Sequence, residues 1–134
     1  EDEAVGSIMS TDFISFNLDV TIGEIIDILK ESKPEDEELN SIFISDDIGR
    51  ILGVLTLKDL ILNDVTVKAK DVMKAKVNVL KHDVNIDEAI DIVSKYDLWA
   101  VPVVDDNDIL IGVVNTHDLI DEVFYPIWKK KNKY

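Results

Sequence analysis

Gly53-Val54-Leu55-Thr56-Leu57-Lys58-Asp59-Leu60-Ile61 returns 59 residues later as Gly112-Val113-Val114-Asn115-Thr116-His117-Asp118-Leu119-Ile120. In each copy a short apolar run meets a good helix-capping residue, Thr56 or Asn115. An acid follows three residues on, at Asp59 or Asp118, so both stretches read as the end of a strand and the start of a helix. A chain that writes such a junction twice invites a search for a longer repeat.

The repeat extends upstream. Ile8-Met9 matches Val72-Met73 at an offset of 64, as do Asp19-Val20-Thr21-Ile22 and Asp83-Val84-Asn85-Ile86. Glu24, Asp27 and Ile28 recur as Glu88, Asp91 and Ile92, and Asp46-Asp47 recurs as Asp105-Asp106 at the shorter offset. The offset changes within the polar run 33–40, which reads as a loop insertion.

Each copy has the same order of elements. A strand (Phe13–Phe16, then Val77–Leu80) leads to a helix capped by Thr21 or Asn85, with Glu24 or Glu88 completing a capping box. The helices bury Ile22, Ile25, Ile26 and Leu29 in the first copy, and Ile86, Ala89, Ile90 and Val93 in the second. Hairpins follow, Ser41–Ser45 with Arg50–Leu55 and Val101–Val104 with Ile109–Val114. Their turns, 46–49 and 105–108, are built from acids, Gly and Asn, which tolerate turn backbone angles. Closing helices span Leu57–Leu62 and Thr116–Phe124, and 63–70 links the copies. Residues 1–66 form the first unit with its N-terminal approach, 67–125 the second, and 126–134 a basic aromatic tail. The fold class is α/β (α+β), as two pseudo-symmetric β-α-β-β-α units. Neither unit of about 60 residues has much core alone, so their open sheet faces should pack together and leave two clefts.

Composition narrows the functions. There are 134 residues, no cysteine, and 28 acids against 14 bases, a formal charge of −14. Residues 1–65 hold 16 of the acids and only 4 of the bases. Such a surface repels a phosphate backbone, which argues against nucleic acid as a partner. Divalent cations would relieve its self-repulsion, although acidity also serves plain solubility. The lack of cysteine removes disulfides and thiolate metal sites and fits a cytosolic protein. No apolar run approaches the ~20 residues of a membrane helix. The Glu1-Asp2-Glu3 start reads as a cut inside a longer chain.

Thr56 and Asp59 admit two roles. As a capping box they satisfy helix-start amides. As part of a ligand site, the helix start and Thr56 hydroxyl would hold a phosphate while Asp59 accepts from ribose hydroxyls. Asn115, in the second copy, brings no hydroxyl. Phe13, Phe16, Phe43 and Trp99 have apolar neighbours and are expected in the core or an interface. Phe13 or Trp99 at a cleft would offer a ring to adenine. His82 reads as a surface loop residue and His117 as a cleft-lining one. No Gly-x-Ser-x-Gly elbow or Walker-type phosphate loop occurs, so no enzyme is indicated.

Two units ending in Gly-apolar-apolar-Thr/Asn-x-x-Asp-Leu-Ile resemble a tandem pair of CBS (cystathionine-beta-synthase-type) domains across residues 6–124. The approach Glu1–Phe13, the stretch 46–61 and Lys95-Tyr96-Asp97-Leu98-Trp99-Ala100-Val101-Pro102-Val103-Val104-Asp105 resemble the corresponding region of MgtE-type magnesium transporters. That resemblance implies a non-catalytic sensor, packed sheet to sheet and homodimeric, on the cytoplasmic side of a membrane-embedded parent protein. It implies Mg2+ as the ion, with Asp97, Asp118 and Asp121 as ligands, and other domains of the parent as partners. Mg2+ would favour a compact closed state that limits conduction. CBS pairs also commonly bind ATP or another adenine nucleotide, which points to Thr56, Asp59 and Asp118. The alternatives are a nucleotide-sensing pair regulating another channel or enzyme, and a plain interaction domain. The aromatic, lysine-rich ending departs from the acid-rich continuation of the transporter family.

Overall fold

The structure, a computed structural model, describes residues 4–96 and 99–122. The first unit contains β1 (Ile14–Asn17), α1 (Ile22–Ser32), β2 (Ile42–Ser45), β3 (Ile51–Leu55) and α2 (Leu57–Leu62). A short helix, α3 (Ala69–Val72), precedes the second unit: β4 (Leu80–Lys81), α4 (Ile86–Tyr96), β5 (Ala100–Val104), β6 (Leu110–Asn115) and the helical residues 116–122, α5. The helix expected to reach Phe124, the tail 126–134 and Asp97 lie in whole or part outside the described residues.

Each unit has a three-stranded sheet, β1-β2-β3 and β4-β5-β6. The first pair of strands in each is parallel and the second antiparallel. Both hairpins shift register at the matching step, Ile44/Ser45 and Val103/Val104. The strand expected at Val77–Leu80 is only Leu80–Lys81, because 75–79 makes no ladder.

Period-two patterning separates the two faces. Ile42 and Ile44 point to the helix side and join Ile22, Ile25, Leu55 and Leu60 in one core. Val101, Val103 and Val114 do the same with Ile86, Ala89, Val93 and Leu119. The opposite faces meet in a third cluster of Phe43, Leu110 and Val113, flanked by Phe13, Ile51, Val54 and Ala100. Phe13 and Phe43 pack edge to face with centroids 6.3 Å apart. Trp99 is 84% exposed in the single chain, so of its expected places the core is ruled out, and its ring stands at the rim of a cleft.

The units also exchange segments. Residues 4–10 cross to the second unit: the Val5 amide donates to the Val84 carbonyl (2.8 Å) and Ser10 pairs in both directions with Val113. The linker returns to the first unit in the matching way. The Ala69 amide donates to Val20 (2.8 Å), and Lys74 pairs in both directions with Val54. Val5 thus belongs to the second core and Ala69 to the first. At the pseudo-twofold axis the two hairpin turns meet, the Leu110 amide donating to the Gly49 carbonyl at 3.0 Å.

Candidate functional site

Two clefts open where the units meet, and the repeat relates their walls. The first, about 460 Å³, is lined by Thr56, Lys74, Lys76, Phe43, Trp99 and Pro102 among others. The second, about 120 Å³, is lined by Ser10, Asp12, Phe13, Asn115 and the insertion acids Glu35, Glu37 and Glu38. At the repeat offsets Lys74 matches Ser10, Lys76 matches Asp12 and Thr56 matches Asn115. The matched positions thus carry two lysines in one cleft and Ser10 and Asp12 in the other, and the insertion, which has no counterpart in the second copy, adds three carboxylates to the latter. A third recess of about 530 Å³ lies beside Trp99, Asn115, Thr116, His117 and Ile120.

The lysines are placed by the backbone. Lys74 is locked to Val54 by paired hydrogen bonds (3.0 and 3.1 Å), next to the β3–α2 junction. Lys76 follows two residues later, in a stretch without regular secondary structure. Lys-x-Lys just after Met73 was the available sequence signal. It is legible only once the offset shows which cleft that stretch enters.

Thr56 forms a complete capping box with Asp59. The Asp59 amide donates to Thr56 Oγ1 (3.3 Å), while the Thr56 amide (2.9 Å) and hydroxyl (3.1 Å) donate to Asp59 Oδ2. The structural role of these two residues is thus realised, and Thr56 also faces the lysine-lined cleft. Thr21 and Glu24 make the same box at α1. There the Thr21 amide, then its hydroxyl, hold the Glu24 carboxyl below its ordinary pKa.

Asp118 and Asp121 lie one turn apart on α5, both exposed. Asp118 Oδ2 receives a long hydrogen bond from Asn115 Nδ2 (3.5 Å), and Asp121 Oδ2 is 3.2 Å from His117 Nε2. Among the described residues neither joins a group of three acidic or histidine ligands close enough to share one ion. His117 lines the third recess and neither of the two clefts, which corrects the cleft position expected from its place after the cap.

The hairpin turns, at the far end of each hairpin from the clefts, are fixed by their acids. Asp46 Oδ1 accepts from the amides of Ile48 (3.1 Å) and Arg50 (2.9 Å), and Asp105 Oδ1 from those of Asn107 (2.8 Å) and Ile109 (3.0 Å). Burial raises the Asp46 carboxyl, but hydrogen bonds from the Arg50 amide and guanidinium and the Ile48 amide outweigh it, leaving a lowered pKa.

No described helix is long and apolar enough to cross a membrane. The CBS domain family model matches residues 5–65 and 69–125. Over 121 residues the chain is 32% identical to the magnesium transporter MgtE of Thermus thermophilus, covering 90% of this chain and 27% of that protein. Over 128 residues it is 30% identical to the inosine-5'-monophosphate dehydrogenase of Nitrosopumilus maritimus, covering 96% and 26%. The chain thus spans about a quarter of the length of these relatives. Among solved structures, the cytosolic domain of the Mg2+ channel MgtE in complex with ATP superposes with a TM-score of 0.85 at 30% identity, over 91% of this chain and 49% of that one. The matched family, the doubled β-α-β-β-α architecture and the sheet-to-sheet packing agree: this chain belongs to the CBS domain family, as a regulatory, non-catalytic tandem pair homologous to the cytosolic regulatory region of MgtE-family magnesium transporters.

Proposed function

We propose that this chain is the cytosolic sensor module of a membrane-embedded magnesium transporter, working as a homodimer beside other domains of its parent. Mg2+ held by acids at unit and subunit boundaries favours a compact state that limits conduction. Asp97, Asp118 and Asp121 are the ligand positions carried by the family resemblance. Residues 1–66 and 67–125 act as the two moving units, with 126–134 as a connecting tail.

The observation that carries this reading is the acidic cleft. Asp12 reaches it from the first unit's approach, Glu35, Glu37 and Glu38 from the insertion, and Asn115 from the second unit. Among the described residues none of the four carboxylates is ion-paired. Closing units or protomers around such charge costs free energy unless cations neutralise it. Magnesium, a hard ion that keeps several waters, suits loosely arranged carboxylates. Calorimetry with Mg2+ against Ca2+ and Na+ at matched ionic strength, together with small-angle scattering of the dimer, tests this. If Asp97→Asn and Asp118→Asn left both binding and compaction unchanged, the assigned ligands would be wrong.

A second reading rests on the other cleft. Thr56, Lys74 and Lys76 offer a hydroxyl and two cations, and Trp99 an exposed ring. This combination suits the phosphates and base of ATP or another adenine nucleotide. Asp59 would accept from the ribose, and Asp118 is the corresponding acid in the second copy. Titration with ATP, ADP and AMP, repeated on Thr56→Ala, decides it. The two readings use different places and are compatible.

A further inference from the structure

We propose that His82, Asp83 and Asp106 form a binding site for a first-row transition-metal dication such as Zn2+, separate from the magnesium positions and from both clefts. One ligand atom from each of the three side chains lies within 4.8 Å of the other two. His82 Nε2 is 3.5 Å from Asp106 Oδ1. That is long for a hydrogen bond. It is close to the ~3.4 Å that separates two ligands sharing one tetrahedral ion at bond lengths near 2.1 Å.

The ligands sit on pinned backbone. The His82 amide donates to Val104 (3.0 Å), and its carbonyl accepts from Gly6 (2.9 Å). Asp106 sits in the turn closed by Asp105. Lys81 Nζ, at the position matching Asn17, is bonded to Asp108 Oδ1 (2.9 Å) and also acts electrostatically on Asp106, with which a bound ion would compete.

The repeat supplies an internal control. In the first unit Leu18, Asp19 and Asp47 occupy the matching positions. There Leu18 packs against the core, Asp19 pairs with Lys70 Nζ (3.2 Å) and Asp47 Oδ1 accepts from Asn17 Nδ2 (2.6 Å). In the second unit a histidine replaces the leucine, and Gly6 stands where Lys70 does. The fold accepts leucine at this place, so the imidazole is not a packing requirement, and the lysine that neutralises Asp19 has no equivalent. One nitrogen and two carboxylate oxygens, exposed enough for water to complete the shell, favour Zn2+, Co2+ or Ni2+ over Mg2+, which prefers an all-oxygen shell. A bound ion ties the β4–α4 loop to the β5–β6 turn. Through the His82 carbonyl it also steadies the crossing segment at Gly6.

The test titrates the full 134-residue chain with ZnCl2, and separately with MgCl2, by calorimetry and by NMR of the two histidine rings. The expected result is one Zn2+ per chain, with shifts of His82 and not of His117, and no such response to Mg2+ at the same concentrations. His82→Leu abolishes the binding, and Asp106→Asn, on an exposed turn, weakens it at least about tenfold. The proposal is overturned if Zn2+ does not saturate, if binding survives both substitutions, or if it moves with His117→Ala.

Discussion

The Met73 sulfur lies where a side chain on Gly53 would have to go: a Cβ built at Gly53 comes within 2.5 Å of Met73 Sδ and 3.0 Å of the Lys74 carbonyl. Met9 stands over Gly112 in the same way, at 2.5 Å, with the Ser10 carbonyl at 2.9 Å. Each crossing segment can pair with the edge of β3 or β6 because no side chain holds it away.

Gly53→Ala and Gly112→Ala should therefore each destabilise the fold, by about 1–3 kcal/mol as for other overpacked sites. Urea denaturation measures this. Met73→Ala added to Gly53→Ala removes the sulfur clash but not the carbonyl clash, so it should recover part of the loss. Full additivity of the two changes would sink the steric account.

Thr21→Ala removes the acceptor at the start of α1 and should cost about 1 kcal/mol. Glu24→Gln tests the other half of the box. The folded state lowers the Glu24 pKa, so its stabilising effect is complete above the unfolded carboxyl's pKa and fades as pH falls through the folded one. The wild-type advantage over Glu24→Gln should be present at neutral pH and vanish in acid. Lys81 has the opposite sign. Its hydrogen bond with Asp108 raises its pKa, so the advantage over Lys81→Met should persist through neutral pH and disappear only as pH rises through the raised value.

Lys74→Ala together with Lys76→Ala should weaken ATP binding by about tenfold or more, the loss expected when charge-assisted phosphate contacts are removed. Thr56→Ala should reduce binding and also destabilise α2 by about 1 kcal/mol. Tryptophan fluorescence in a Trp128→Phe background, where Trp99 is the only indole, follows the titration. Equal affinity for ATP and adenosine would show that the lysines hold no phosphate.

Asp118→Asn with Asp121→Asn should lower Mg2+ affinity and leave thermal stability in metal-free buffer almost unchanged, because both side chains are exposed. Neutralising Glu35, Glu37 and Glu38 together should make the compact form less dependent on Mg2+. Scattering profiles with and without Mg2+ report both effects.

Architecture was legible because two junctions, two capping boxes and two acid-rich turns recur at fixed offsets, and each is a local signal that only its neighbours need satisfy. Ile22 and Ile25, and Ile86, Ala89 and Val93, are buried as their spacing required, while Ile26, Leu29 and Ile90, at the edges of the same stripes, are half-buried. The sequence leaves Trp99 open between core, interface and cleft, because apolar neighbours in the chain do not reveal which side of a strand end faces the other unit; packing puts it at a cleft. The strand at Val77–Leu80 shortened because pairing, not propensity, decides where a ladder begins.

The sequence by itself determined two copies of one unit and the elements within each, since caps, turns and apolar periodicity act over a few residues. Tertiary structure alone decided that residues 4–10 fold onto the second unit and 69–74 onto the first. It alone set lysines against carboxylates in paired clefts and brought His82 to Asp106. Those contacts join residues far apart in the chain, and they form only when two open sheet faces leave water together.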